Sequence, residues 1–216
     1  YHMMPNLPGS TIETDKKMVG ELFDNEGYQP DYLKIYPCMV MPSTELAQIY
    51  DKGGFKPYDD DTLFDVLYEG MKTVPEWCRV DRVARDIPAP DIKAGSKVSN
   101  IRQLIENKLN KEGTPCRDIR SREIAADTVN IDDIELVCRE YAANKGKELF
   151  ISYEDTVKDK LIGLIRLRFP NKTFLPELKN SAIIREVHVY GRQLAVGKVG
   201  NKKQHIGWGT KLMQDA

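Results

Sequence analysis

Residues 204–210 read Gln204-His205-Ile206-Gly207-Trp208-Gly209-Thr210, and this stretch decides the fold of the last third of the chain. It follows a strand-like run and a Lys-bearing loop and opens a helical run, giving the pattern Q/R-x-x-G-x-G/A at a helix start. Gly207 and Gly209 let backbone come close to a ligand. The unsatisfied N–H groups of a first helical turn, helped by the helix dipole, then make a cradle for a pyrophosphate. Taken alone, the motif fits an ordinary glycine turn before a helix equally well.

Working outward, residues 183–190 (IIREVHVY) predict a strand, and residues 148–153 (ELFISY) and 161–169 (LIGLIRLRF) predict an antiparallel hairpin around the polar turn 154–160. The first third has another grammar. Residues 31–40 (DYLKIYPCMV) predict a strand of about eight residues, residues 44–50 a short helix, and Asp59-Asp60-Asp61 the start of a helix over 62–73. Leu63, Phe64, Val66, Leu67 and Met71 share one face of that helix, and residues 79–84 (RVDRVA) alternate as a strand with one wet face. Strand, helix, strand at this spacing predicts βαβ units in a parallel sheet or barrel. Between the two grammars lie a Pro-rich loop over 86–95 and a helix over 99–111, capped by Ser99 or Asn100 with Ile101, Leu104, Ile105 and Leu109 as its stripe. The charge-dense run 116–123 (CRDIRSRE) predicts an ion-pair network or an RNA contact, and places a boundary near 112–130.

The whole chain has 216 residues, 41% hydrophobic and 30% charged, with a mean hydropathy of -0.49. This fits a domain and a half and excludes a disordered or collagen-like chain. No apolar run reaches membrane-spanning length and no secretory leader is evident, so a cytoplasmic protein is expected. Residues 1–9 read as the end of a strand entering a turn, and residues 209–216 as two turns of a helix, which is the expectation for a fragment. The net charge of -1 hides an uneven spread: residues 1–78 carry 6 basic and 14 acidic side chains, residues 79–122 carry 11 and 6. The basic middle suits an anion such as RNA or phosphate, or else a solvated charged face. Cys38, Cys78, Cys116 and Cys138 form no C-x-x-C pair and read as reduced thiols.

Residues 186–191 (EVHVYG) together with 203–209 (KQHIGWG) resemble the GCN5-related acetyltransferase domain of the Elongator catalytic-subunit family. So do Cys138-Arg139-Glu140-Tyr141, residues 146–155 (GKELFISYED) and residues 161–170 (LIGLIRLRFP). Residues 2–10 (HMMPNLPGS), 32–40 (YLKIYPCMV) and 85–88 (RDIP) resemble its radical-SAM domain, and residues 116–123 its junction. The resemblance implies an α/β chain: the C-terminal half of a radical-SAM partial (β/α) barrel over 1–111, a linker over 112–130, and the N-terminal part of a GCN5-related N-acetyltransferase (α+β) domain over 131–216. It implies a radical, S-adenosylmethionine- and acetyl-CoA-dependent carboxymethylation of C5 of the wobble uridine of tRNA, with other Elongator subunits as partners and no membrane. Two alternatives stay open, a protein lysine acetyltransferase and a non-catalytic RNA- or subunit-binding module.

By the same resemblance, the backbone of Glu186, Val187, His188 and Val189 would meet the pantetheine arm of acetyl-CoA, and Gln204, Gly207, Trp208, Gly209 and Thr210 its pyrophosphate end. His188 reads equally as a packed histidine, and Trp208 as a residue packed against its own helix. The expected tRNA contacts are Arg82, Arg85, Lys93, Lys97, Arg102, Arg117, Arg120 and Arg122. Lys34 and Tyr36, two apart on one strand face, point at S-adenosylmethionine or substrate inside the barrel, or are held by packing. The family's [4Fe–4S] ligands form a three-cysteine motif without a counterpart here, so no metal ligand is expected. Cys116, with Asp118 and Ser121 nearby in sequence, does not complete a zinc site. No catalytic residue is assigned.

Overall fold

β1 (His2–Met3), β2 (Tyr32–Ile35) and β3 (Arg79–Val83) lie side by side as parallel strands, in that order, in the computed structural model of the chain. The structure describes residues 1–84, 87–124, 129–191 and 207–216. It divides into two units: Tyr1–Asn25 with Pro30–Asp118, and Glu26–Gln29 with Ile119–Ala216.

In the first unit the strands are connected through α1 (Ile12–Asp24), α2 (Glu45–Asp51) and α3 (Asp60–Lys72), and α4 (Ile101–Lys111) follows. One face of the sheet, Leu33, Ile35, Val80 and Val83, packs against Val19 and Leu22 of α1, Leu63, Leu67 and Met71 of α3, and Ile101, Ile105 and Leu109 of α4. Each such buried aliphatic side chain contributes about 1.5–3 kcal/mol. The Asp59 carboxylate caps α3 by accepting from Thr62 N at 2.8 Å. Gly70 lets α1 and α3 approach, since a Cβ there would stand 3.0 Å from Val19 Cγ2.

Three local expectations change. β2 is four residues long, because Pro37 has no N–H to continue the ladder; Tyr36 N and Cys38 N still donate to Met3 O and Pro5 O, each at 2.8 Å, and Val40 then makes an antiparallel bridge to Ala94. Asn100 precedes α4 without a side-chain cap bond. α1, absent from the sequence reading, is set by a capping box between Thr11 and Thr14.

The second unit holds the four-residue α5 (Ile119–Arg122), then β4 (Ile134–Ala143), β5 (Gly146–Asp155), β6 (Lys160–Phe169), β7 (Ile183–Val189) and α6 (Trp208–Asp215). The strands form an antiparallel sheet in sequence order. Asn144 and Lys145, at φ 45 and 62, make the two-residue β4–β5 turn. α6 lies on this sheet, with Leu212 among Ile151, Ile165 and Leu167 and Trp208 beside Ile124 and Ile162. The chain is thus mixed α/β: a parallel sheet with helices, then a four-stranded antiparallel sheet. No helix among the described residues is long and apolar enough to cross a membrane.

Candidate functional site

Two places gather the residues singled out by sequence. In the second unit, Gly207 caps the N-terminus of α6 at φ 76, a conformation that favours glycine, and a Cβ built there would meet nothing within 4 Å among the described residues. Gly207 O accepts the first helical bond from Lys211 N at 2.9 Å. Helix geometry leaves the N–H groups of Trp208, Gly209 and Thr210 without an acceptor inside the helix, all at its positive end. Trp208 is 5% exposed, its ring lies 4.7 Å from that of Tyr153, and Lys211 Nζ stands 4.3 Å from the ring centroid. Its buried Nε1–H has no acceptor among the described residues.

β7 runs past this helix. A Cβ on Gly209 would reach Val189 Cγ2 at 3.8 Å, whereas one on Gly163 of β6 would press on His188 O at 2.9 Å and Leu212 Cδ1 at 3.2 Å. The bare backbone of Gly163 therefore sets how closely α6 and β7 seat on the sheet. His188 turns to Tyr190, ring centroids 4.3 Å apart, and Val187 and Val189 are exposed. Glu186 accepts from Arg166 Nε at 2.7 Å, with the Arg166 side chain 1% exposed. The structure thus brings Val189 and residues 207–210 to one end of the sheet. Gln204 lies outside the described residues.

In the first unit, Met4, Tyr36, Pro37, Cys38, Met39, Ala84 and Ile87 line an apolar cavity of about 300 Å³, at the C-terminal ends of β1, β2 and β3. Ala84 sits at φ 93, a conformation costing a residue with a Cβ about 1–3 kcal/mol. The wall carrying Met4 is braced by Asp15, 4% exposed. Its Oδ2 accepts from Asn6 N at 2.6 Å, Ser10 Oγ at 3.1 Å and Tyr58 OH at 2.9 Å. Tyr36 lines the cavity; Lys34, half-buried, stands one step back along the same strand face.

The basic residues separate into two groups. Arg82, Lys97 and Arg120 are exposed; Lys93 is exposed and paired with Asp51 at 2.6 Å; Arg117 is paired with Glu76. Arg102 and Arg122 are built inward, against the expectation from sequence. Arg102 donates to both oxygens of Asp118, at 2.9 and 3.0 Å, to Glu106 at 2.7 Å and to Val80 O at 2.6 Å. Burial pulls its pKa down, but the charges of Asp118 and Glu106 outweigh that and raise it. Arg122, 2% exposed, donates to Glu154 and to Asp159 at 2.8 Å. Neither guanidinium has a face to offer a phosphate. Arg85 lies outside the described residues.

Sequence reasoning missed Asp15 and Glu154. Burial pushes the Glu154 carboxyl up, but the hydrogen bond from Arg139, the Arg122 charge and the Ser152 hydroxyl hold it below the usual range. Cys116 is buried in the first core and Cys38 and Cys78 are buried too, while Cys138 is exposed. Among the described residues no group of three or more His, Cys, Asp or Glu is placed to hold a metal.

A profile of the radical-SAM C-terminal domain matches residues 30–111. Over 225 aligned positions the chain is 39% identical to the tRNA uridine(34) acetyltransferase of Methanocaldococcus jannaschii, covering 100% of this chain and 42% of that protein. Over 222 positions it is 42% identical to Elongator complex protein 3 of Dictyostelium discoideum, covering 100% of this chain and 40% of the other. Over its whole length the chain is similar to the Elongator protein 3 family. The solved structure of Methanocaldococcus infernus Elp3 with an N-terminal deletion superposes with a TM-score of 0.88 at 39% identity, over 100% of this chain and 53% of that one. The chain therefore spans about two fifths of the length of its Elongator protein 3 relatives, and both units fall within the part they share.

Proposed function

We propose that the full-length protein modifies C5 of the wobble uridine of tRNA, taking a two-carbon unit from acetyl-CoA and using S-adenosylmethionine. One observation carries this: Gly207, at positive φ with open space where a Cβ would be, starts α6 beside β7 in a chain alike over its whole length to proteins named for uridine(34) acetyl transfer. In this reading residues 1–111 are the C-terminal part of a radical-SAM partial barrel, 112–130 a junction, and 131–216 the N-terminal part of a GCN5-related acetyltransferase domain.

The N–H groups of Trp208, Gly209 and Thr210, with Gln204, would hold the coenzyme pyrophosphate, and the strand Glu186 to Val189 would pair with the pantetheine arm. The Nε1–H of Trp208, which has no acceptor among the described residues, is a donor suited to a coenzyme oxygen. S-Adenosylmethionine, when bound with its cluster, would supply one-electron chemistry; no cysteine of this chain is assigned to the cluster. The apolar cavity bounded by Met4, Tyr36 and Cys38 keeps water from whatever reacts at the strand ends. Arg82, Arg85, Lys93, Lys97, Arg117 and Arg120 are the proposed RNA contacts; Arg102 and Arg122 are left to their buried carboxylates. Mass spectrometry of tRNA from cells with and without the gene tests the activity: loss of the carboxymethyl-derived wobble nucleoside is expected, and an unchanged nucleoside profile overturns the reading. Gly207→Glu should abolish acetyl-CoA binding by filling and repelling the pyrophosphate cradle.

A further inference from the structure

Phe174, in the connection from β6 to β7, is 93% exposed. The chain around it is ordered by its own hydrogen bonds. Thr173 Oγ1 accepts from Leu175 N at 3.1 Å, one 3-10 turn runs over Pro176–Leu178, Ser181 N donates to Leu178 O at 3.3 Å, and Ser181 Oγ donates to Glu177 O at 3.2 Å. A built loop therefore holds the ring out in water, against the cost that apolar exposure carries. The loop curls round a cavity of about 650 Å³, and Lys172, Phe174, Leu175, Leu178 and Lys179 are among its lining residues. Lys172 and Lys179 are exposed and make no ion pair among the described residues. Within residues 170–180 the only acid is Glu177.

The same end of the sheet carries a second aromatic and a third lysine. The register sets Lys147 opposite Phe169, and Lys147 Nζ stands 5.3 Å from the centroid of that ring, itself 39% exposed. This end lies away from the start of α6. Gly209 abuts Val189, Val189 pairs with Gly163, and six residues of β6 lead from Gly163 to Phe169, about 20 Å.

An open aromatic face with lysines beside it is what a single-stranded nucleic acid requires: a base stacks on the ring whatever its identity, and ammonium groups follow the phosphates. An apolar protein partner would cover Phe174 but leave Lys172 and Lys179 without a counter-charge, so the charge decides for a polyanion. We infer that the β6–β7 loop is a stacking platform for an unpaired nucleotide of the bound RNA, its base on Phe174 and the adjoining phosphates on Lys172 and Lys179. The inference rests on the reading that the protein works on RNA, and adds an aromatic contact that the cations proposed above do not supply.

The test uses the full-length protein and a fluorescein-labelled oligouridylate, read by anisotropy. Phe174→Ala should weaken binding about five- to a hundredfold, the worth of one stacked base; Phe174→Trp should keep the affinity, and Phe174→Leu should not. Changing Lys172 and Lys179 together to Gln should lower the slope of log affinity against log salt by about 1.4, two phosphate contacts on a single strand. Acetyl-CoA affinity should stay at the parent value throughout. Parent-like RNA binding by Phe174→Ala, or a leucine that serves as well as tryptophan, overturns the platform. A parallel fall in acetyl-CoA affinity does so too, because it would make the loop a support of the fold. So does burial of Phe174 in the RNA-free protein, read by hydroxyl-radical footprinting, which would give the loop to the rest of the chain, a second copy or a protein subunit. A parent that binds RNA regardless of Phe174 removes only the platform; a parent that binds neither the oligouridylate nor tRNA removes the RNA reading as well.

Discussion

The hydroxyl of Tyr153 donates to Asp215 Oδ2 at 2.6 Å, tying β5 to the last turn of α6. Burial first, then the hydrogen bond to Asp215 and its charge, push the Tyr153 pKa up to about 12. An unfolded tyrosine ionises near pH 10. The stability carried by this bond is therefore complete below pH 10 and lost as pH rises through about 12. Tyr153→Phe should lower stability by about 0.5–1.5 kcal/mol at neutral pH, and the gap to the parent should close above pH 10. Urea midpoints across that range, read by Trp208 fluorescence, check it.

Glu154 gives the opposite slope. Its lowered pKa means that its stabilising effect is present above the pKa of an unfolded glutamate and fades as pH falls through the folded value. Glu154→Gln removes one counter-charge from Arg139 and one from Arg122. The expected cost is about 3–5 kcal/mol at neutral pH, shrinking in acid. Denaturant titrations of both proteins at several pH values measure it.

Three glycines at or near α6 should respond differently to alanine. Gly207→Ala forces a Cβ into positive φ, costing about 1–2 kcal/mol, and should weaken acetyl-CoA binding. Gly209→Ala meets Val189 at an ordinary 3.8 Å and should stay within about 0.5 kcal/mol. Gly163→Ala pushes on the backbone oxygen of His188 and should cost about 1–3 kcal/mol, loosening α6. Thermal melts with and without acetyl-CoA rank the three.

Asp15→Asn keeps the shape of the brace behind Met4 but replaces an acceptor of three bonds by a poorer one. A loss of about 1–3 kcal/mol is expected. The loop from Pro5 to Ser10 should loosen with it, because Asp15 no longer fixes the cavity wall at Met4. Hydrogen exchange at Asn6 N reads the loop directly.

The elements legible in the sequence are those whose pattern is local. The β5–β6 hairpin shows its apolar runs on either side of a polar turn, α3 its stripe behind three aspartates, and α6 its glycines. β4 was hidden because its side chains are mostly exposed or half-buried, leaving no apolar alternation to read. α1 buries only Asp15, Val19 and Leu22 in a run rich in charge. At the site, the cations were visible but their partners were not. Arg102 finds Asp118 16 positions on and Arg122 finds Glu154 32 positions on, so chain folding, rather than spacing, turned both inward.

The two sheets also differ in how far the chain must travel to close them. β4 to β7 pair only with their neighbours in sequence, whereas β1 meets β2 by joining His2 to Lys34, and β2 meets β3 by joining Tyr32 to Arg79. Closing a loop early costs entropy that local pairing avoids. In refolding, the antiparallel meander belongs to the fast phase and the parallel sheet to the slow one. The apolar cavity at the strand ends, which needs all three parallel strands in register, is therefore among the last features of the molecule to mature.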